Sequence, residues 1–170
     1  MNRIILLLLC MLSIVAQGQN DLRQLINDGN NVRFSTKVRI KALHKAADLI
    51  MNSNPDSSSI LLDSAFSLIS KATSTEFRQA NHLIRAKIFL IQGIYPKALD
   101  YAQKSLKLSE ELNKKRLISD CYSVIGQIFE RKENNTKAAE YHKKGLRINR
   151  ELGDSIRISN SLSLLGNIYG

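Results

Sequence analysis

The chain of 170 residues has no tryptophan and is poor in proline, glycine, aromatic residues and cysteine. It contains only 2 Pro and 8 Gly beside 44% apolar residues, which excludes a collagen-like or a disordered chain. Aromatic residues make up 6% of the sequence, whereas Leu, Ile, Ala and Lys dominate it. This composition favours helices over a β-sandwich, and the length fits one domain.

Cysteine is nearly absent as well. Cys10 lies in an apolar amino-terminal segment, and Cys121 lies on the apolar side of a helical pattern. If that segment is removed, Cys121 remains alone and no intrachain disulfide forms, so the domain depends on packing for its stability. We interpret Cys121 as a small buried apolar residue rather than a nucleophile.

The first residues have the order of a secretory signal peptide. Arg3 provides a positive start, an apolar run follows over residues 4–16, and Ala16-Gln17-Gly18 supplies small residues for cleavage. The run is too short to span a bilayer comfortably, since about 20 apolar residues are needed. We predict a signal peptide over residues 1–18 and an exported chain, periplasmic or extracellular.

Two other fates of this segment stay open. If it is not cleaved, it tethers the chain to a membrane by its amino terminus. Cys10 also gives the segment a weak likeness to a lipoprotein signal, although Leu9 stands where a small residue is expected. No other stretch is apolar enough to cross a membrane, so we expect no stable span in the mature chain.

Short sequences recur at intervals of forty residues. Residues 86–89 (AKIF) return as residues 126–129 (GQIF) and again as residues 166–169 (GNIY). Residues 97–101 (KALDY) return as residues 137–141 (KAAEY). A degenerate first copy lies forty residues before the first of these, as is common for terminal repeats. The chain is therefore predicted to be an array of repeats.

Apolar residues follow a helical spacing within each copy, and turn-forming residues separate the helices. Asn54-Pro55 begins one helix, Gln92-Gly93 ends another, and Asn134 and Gly153 mark later breaks. Each copy therefore holds two helices. The predicted helices span residues 36–52, 56–71, 76–92, 96–113, 117–132, 136–152 and 157–169.

These patterns resemble the tetratricopeptide repeat, a helix-turn-helix unit. Residues 125–129 and 165–169 match its first helix, with an apolar residue before Gly and an aromatic residue after it. Residues 92–99 (QGIYPKAL) match the turn into its second helix. The resemblance covers about residues 36–170 and implies an all-α, right-handed superhelical solenoid of about three and a half repeats. The period of forty is longer than the usual period of about 34.

Small and large residues alternate at fixed positions of the first helices. We expect the small ones to lie where the paired helices cross, because a larger side chain would push the helices apart. The large ones are expected to fill the space beside the next helix. The small positions are Ala46, Ala86, Gly126 and Gly166, and the large positions are Leu49, Phe89, Phe129 and Tyr169.

The two ends of the chain differ from the repeats. Residues 19–35 are predicted to be a linker or an amino-terminal extension. Residues 157–169 have the apolar positions of an internal repeat rather than the polar outer face of a cap, so we expect further repeats or an output domain after Gly170. By analogy alone, the alternative function is the sensory region of a bacterial signalling protein, a membrane histidine kinase or a helix-turn-helix regulator.

The sequence lacks recognisable catalytic, phosphate-binding and metal-binding motifs. His44, His82 and His142 lie in different copies, without the spacing of metal ligands. There is no phosphate-binding glycine loop, nucleophile elbow or HExxH motif. We predict that the chain is not an enzyme and that it binds no cofactor and no metal.

The formal net charge is +10, and loss of Arg3 with the signal peptide leaves 24 basic and 15 acidic residues, or +9. We interpret the excess as a solvated basic surface, with nucleic acid as the alternative. Aromatic residues that would stack on bases are not interleaved with these charges, so we predict no nucleic-acid partner. The cations expected on the outer, second helices are Lys104, Lys107, Lys143, Lys144 and Arg147.

First helices line the concave face of such a solenoid, which is where a partner is usually bound. Amide, hydroxyl and apolar side chains there suit a protein or peptide ligand. We therefore predict an exported, non-catalytic protein- or peptide-binding scaffold. The predicted contact residues are Leu83, Lys87, Leu90, Asp120, Ser123, Gln127, Arg131, Asn160, Ser163 and Asn167.

Overall fold

The computed structural model describes residues 18–69 and 74–169, which form helices joined by short turns and contain no strand. Residues 18–30 are helical and are here named α1. The all-α prediction is confirmed. The remaining helices are α2 (Thr36–Ile50), α3 (Pro55–Leu68), α4 (Thr75–Ile91), α5 (Tyr95–Glu111), α6 (Lys115–Arg131), α7 (Asn135–Glu151) and α8 (Ser155–Tyr169).

The seven predicted helices correspond to α2–α8, with ends that differ by at most three residues. Local side chains explain the starts, since the Asn54 side chain accepts a hydrogen bond from the Ser57 N–H and the Asn134 side chain accepts one from Lys137. The four later turns share a left-handed residue, which closes each preceding helix. These residues follow one another at intervals of twenty: Gly93, Asn113, Glu133 and Gly153.

The close crossing predicted for Gly126 is present. A Cβ on Gly126 would lie 2.5 Å from Cε1 of His142, so α6 and α7 meet here with no room for a side chain on α6. Forty residues earlier the corresponding pair is Ala86 and Ala102, both fully buried in the same core cluster. The absence of a side chain on Gly126 therefore leaves space for the imidazole ring of His142, at the place where the preceding repeat has the methyl group of Ala102.

Gly166 does not share this environment. A Cβ at Gly166 would have no neighbour within 4 Å, because no described residue lies opposite this side of α8. Tyr169 is 66% exposed for the same reason. The equivalence predicted for the small positions therefore holds for Gly126 and fails for Gly166 in the described part of the chain.

The first copy departs from the prediction at its large position and not at its small one, since Ala46 is fully buried. Leu49, the expected large residue, is 56% exposed, whereas its counterpart Phe129 is buried. Ala47 packs with Leu62, and Asp48 pairs with Lys87 of α4.

A buried polar network links each pair of helices to the next first helix. Between α4, α5 and α6, the Gln79 Nε2 donates to the Ser105 Oγ at 3.0 Å, and the Ser105 Oγ lies 3.3 Å from the Cys121 Sγ. Forty residues later, the Asn149 side chain accepts from Ser119 at 2.7 Å and donates to Ser161 at 3.1 Å. The junctions of the array thus repeat their hydrogen bonds as well as their apolar contacts.

Cys121 is fully buried, as predicted. Its position belongs to the polar network, however, and Ser161 occupies the same place in the next copy. Burial raises the pKa of the Cys121 thiol, against the lowering effect of its hydrogen bonds from Ser105, Ser109 and Gln79. The group is therefore a protonated thiol at neutral pH.

The residues before α2 include a packed helix. Within the range 19–35, α1 contacts α2, since a Cβ on Gly29 would lie 2.5 Å from the Leu43 Cγ and the Arg39 Nε donates to the Gly29 carbonyl. The predicted signal peptide, apart from Gly18, lies outside the described residues. Throughout residues 18–69 and 74–169, the structure has no helix whose length and apolar character would let it span a bilayer.

Candidate functional site

The first helices of successive repeats border a groove of about 1020 Å³. Its walls come from α4, α6 and α8, and the turn after α2 closes one end. Apolar side chains alternate with amide, hydroxyl and charged groups, which is the mixture that a peptide requires. The lining residues are Met51, Asn52, Leu83, Lys87, Leu90, Ile91, Gly93, Tyr95, Asp120, Ser123, Val124, Gln127, Glu130, Arg131, Arg157 and Leu164.

Most of the residues predicted for the contact face lie together in this groove. Asn160 instead lines an adjoining pocket of about 340 Å³ between α6 and α8, which shares Asp120 and Ser123 with the groove. Ser163 and Asn167 are exposed on α8 and line neither space. The predicted residues in the groove are Leu83, Lys87, Leu90, Asp120, Ser123, Gln127 and Arg131.

The sequence analysis missed several groove residues. Met51 and Asn52 follow α2 and reach the groove only because this turn lies beside α4. Arg157 reaches it through an ion pair with Asp120, which joins α8 to α6. A sequence signal for such pairs exists, since opposite charges nearly one period apart are expected to face each other across adjacent first helices.

Ion pairs across the first helices hold the groove in shape. The Lys87 Nζ lies 3.1 Å from the Asp48 Oδ1 and joins α4 to α2. The Arg157 Nε lies 3.2 Å from the Asp154 Oδ2, so this guanidinium is shared between Asp154 and Asp120. The pKa of Asp154 is lowered by the hydrogen bond from the Arg157 backbone N–H and by Arg116. The Asp154 carboxylate is therefore ionised at neutral pH.

The three histidines occupy buried or half-buried places outside the groove. Burial lowers the pKa of His44 to about 4 and also lowers the pKa values of His82 and His142, although Glu130 opposes the shift at His142. The His142 Nε2 has no hydrogen-bond partner. Across residues 18–69 and 74–169, no three His, Cys, Asp or Glu side chains are arranged to hold a metal ion.

Aromatic rings lie beside basic residues of the second helices. The Lys104 Nζ is 5.1 Å from the centre of the Tyr101 ring, and the Lys144 Nζ is 4.8 Å from that of Tyr141. Each tyrosine stacks in turn on a phenylalanine of the preceding first helix. The rings are half-buried packing elements, so the cation–π contacts fasten the lysine side chains to the helix surface.

The fold and the groove define an all-α solenoid of helix-turn-helix repeats. Residues 77–151, which extend from α4 to the end of α7, match the family model of the tetratricopeptide repeat. The crystal structure of BtubC (BKLC) from P. vanneervenii has a similar fold, with a TM-score of 0.71 and 15% sequence identity. The alignment covers 91% of this chain and 64% of that one. These two findings support the assignment of the repeats to the tetratricopeptide-repeat family. No curated protein sequence matches the chain.

Proposed function

We propose that the chain is an exported, non-catalytic scaffold that binds a protein or peptide along the groove of its first helices. The observation that carries the proposal is the groove itself, in which apolar side chains from three successive first helices alternate with amide and hydroxyl groups. Tetratricopeptide repeats generally mediate protein–protein interaction, and this family is generally non-catalytic. Both facts favour a scaffold over an enzyme.

The ion pairs that join the first helices support a preformed site. Lys87 with Asp48 and Arg157 with Asp120 connect the walls of the groove in the absence of a partner. A groove held in this way loses little conformational freedom when a peptide binds, and this lowers the entropic cost of binding.

The proposal is tested by selecting binders from a displayed library of random peptides on the full chain. Selected peptides are then measured against Ser123→Trp, which fills the groove, and Ser159→Trp, a matched change at an exposed position of α8 outside it. We expect Ser123→Trp to weaken binding at least about tenfold and Ser159→Trp to have little effect. Equal effects of the two variants on every selected peptide would refute the groove as the binding site.

Export rests on the amino-terminal sequence alone and has its own test. A carboxyl-terminally tagged chain is expressed in a bacterium, the cells are fractionated, and the intact mass of the tagged product is measured. We expect an extracytoplasmic chain whose amino terminus lies close to residue 19. A cytoplasmic product that retains Met1 would contradict export, and a membrane-bound product that retains residues 1–18 would indicate a tether.

A further inference from the structure

The carboxylates on the first helices are mostly engaged by cations of the chain itself. Asp48 pairs with Lys87, Glu76 lies 2.8 Å from the Lys114 Nζ, and Asp120 pairs with Arg157. Glu130 is the exception in the groove, since its nearest basic group is the His142 ring at 3.9 Å. It is offset within the groove by Arg131, which has no acidic partner in the described residues.

Lys37, Lys41 and Lys45 of α2 have no ion-pair partner among the described residues. Lys37 and Lys41 are exposed and make no ion pair or hydrogen bond with any described residue. They are one helical turn apart, so both side chains lie on the same side of α2. Lys37 and Lys41 therefore place two unpaired positive charges at one place on the first-helix face.

These lysines border a separate pocket of about 450 Å³ between α2 and α4. Phe77 and Ala80 of α4 supply its apolar wall, and the buried His44 ring lies against Phe77 with the ring centres 6.4 Å apart. Glu76 also borders the pocket, but its carboxylate is held by Lys114. The pocket thus combines two unpaired ammonium groups with an aromatic surface.

We propose that the partner of this chain carries an acidic segment in which a carboxylate side chain adjoins an apolar one, and that this segment binds in the pocket of Lys37, Lys41 and Phe77. The inference rests on the proposed function, because it treats the pocket as an extension of the peptide-binding face. Charge complementarity selects the acidic segment, since a basic one would meet two uncompensated lysines. A neutral segment would leave both ammonium groups without a counter-charge.

The experiment repeats the peptide selection on three forms of the full chain. These are the unmodified chain, Lys37→Glu/Lys41→Glu, and Lys107→Glu/Arg147→Glu, which makes the same change of charge at exposed positions of the second helices. We expect peptides selected on the unmodified chain to be enriched in Asp or Glu beside an apolar residue. The α2 variant is expected to lose at least about tenfold in affinity for them, and the second-helix variant less than about threefold.

A resynthesised peptide separates a specific contact from general attraction. The peptide is amidated at its carboxyl terminus, so that only side-chain carboxylates remain, and is compared with a twin in which each Glu is replaced by Gln. We expect the twin to bind at least about tenfold more weakly at low salt, with the difference shrinking as salt is raised. Equal affinity of the two peptides, or equal loss in both charge variants, would overturn the inference.

The outcomes also distinguish this inference from the proposed function. Peptides that are sensitive to Ser123→Trp but carry no acidic residues would leave the groove in place as the binding site and refute the acidic partner. If no selected peptide is sensitive to Ser123→Trp or to Lys37→Glu/Lys41→Glu, both proposals fail. Circular dichroism melts of each variant establish that the helices remain folded.

Discussion

Replacing Gly126 by Ala tests the packing that defines the repeat. The added Cβ would lie 2.5 Å from Cε1, 2.7 Å from Nδ1 and 2.8 Å from Nε2 of His142, all well inside van der Waals contact. The ring cannot swing into solvent without cost, because His142 is only 2% exposed. Overpacking of this kind costs about 1–3 kcal/mol, which outweighs the gain of about 1 kcal/mol from Ala in a helix.

The chain offers a matched control and a rescue. Gly166→Ala introduces the same side chain at the equivalent position of α8, where no atom lies within 4 Å, so it should gain up to about 1 kcal/mol. Gly126→Ala/His142→Ala converts the α6–α7 crossing into the Ala86–Ala102 pair of the preceding repeat. We expect the double variant to recover stability that Gly126→Ala loses, with a coupling of at least about 1 kcal/mol.

Thermal unfolding followed by circular dichroism measures these differences. For a chain of this size, about 1 kcal/mol changes the Tm by roughly 2–4 °C, so Gly126→Ala should melt several degrees below Gly166→Ala. The larger Gly126→Leu should cost about 1–3 kcal/mol or more by the same overpacking. If Gly126→Ala melts at or above Gly166→Ala, or if the double variant shows no coupling, the close approach of α6 to His142 is refuted.

Three further predictions concern the turns, the histidines and the thiol. Glu133 has a left-handed φ of 58°, where two equivalent turns have glycine, so Glu133→Gly should stabilise the chain by about 1 kcal/mol in urea unfolding. The pKa of His44 is lowered to about 4, and the unfolded chain therefore binds more protons below pH 6.5. The contribution of His44 to the free energy of unfolding, up to about 3 kcal/mol, should be complete above pH 6.5. It should disappear as the pH falls toward 4. A His44→Gln variant whose stability fell as steeply over this range would contradict that assignment. Cys121→Ser should change the free energy of unfolding by less than about 1 kcal/mol, since Ser161 fills the same place. Rapid labelling of the Cys121 thiol in the folded chain would show that it is not buried.

The helices, their turns and the period of forty can all be predicted from the sequence. These depend on short-range effects, namely caps such as Asn54, left-handed residues such as Gly93, and apolar spacing within one helix. The helical period also assigns residues to faces, which is why Leu83, Ser123 and Gln127, predicted on one face, line the same groove. Burial of Cys121 followed from the same pattern.

The tertiary structure decided how far each helix is rotated about its axis and what lies opposite it. Leu49 is exposed and Asp48 pairs with Lys87 of α4, and no local signal in α2 encodes either outcome. Arg157 enters the groove because Asp120 of another helix holds it, while Ser163 is exposed on α8 and does not line the groove. Side-chain direction is local, but its environment is set by packing between elements distant in sequence.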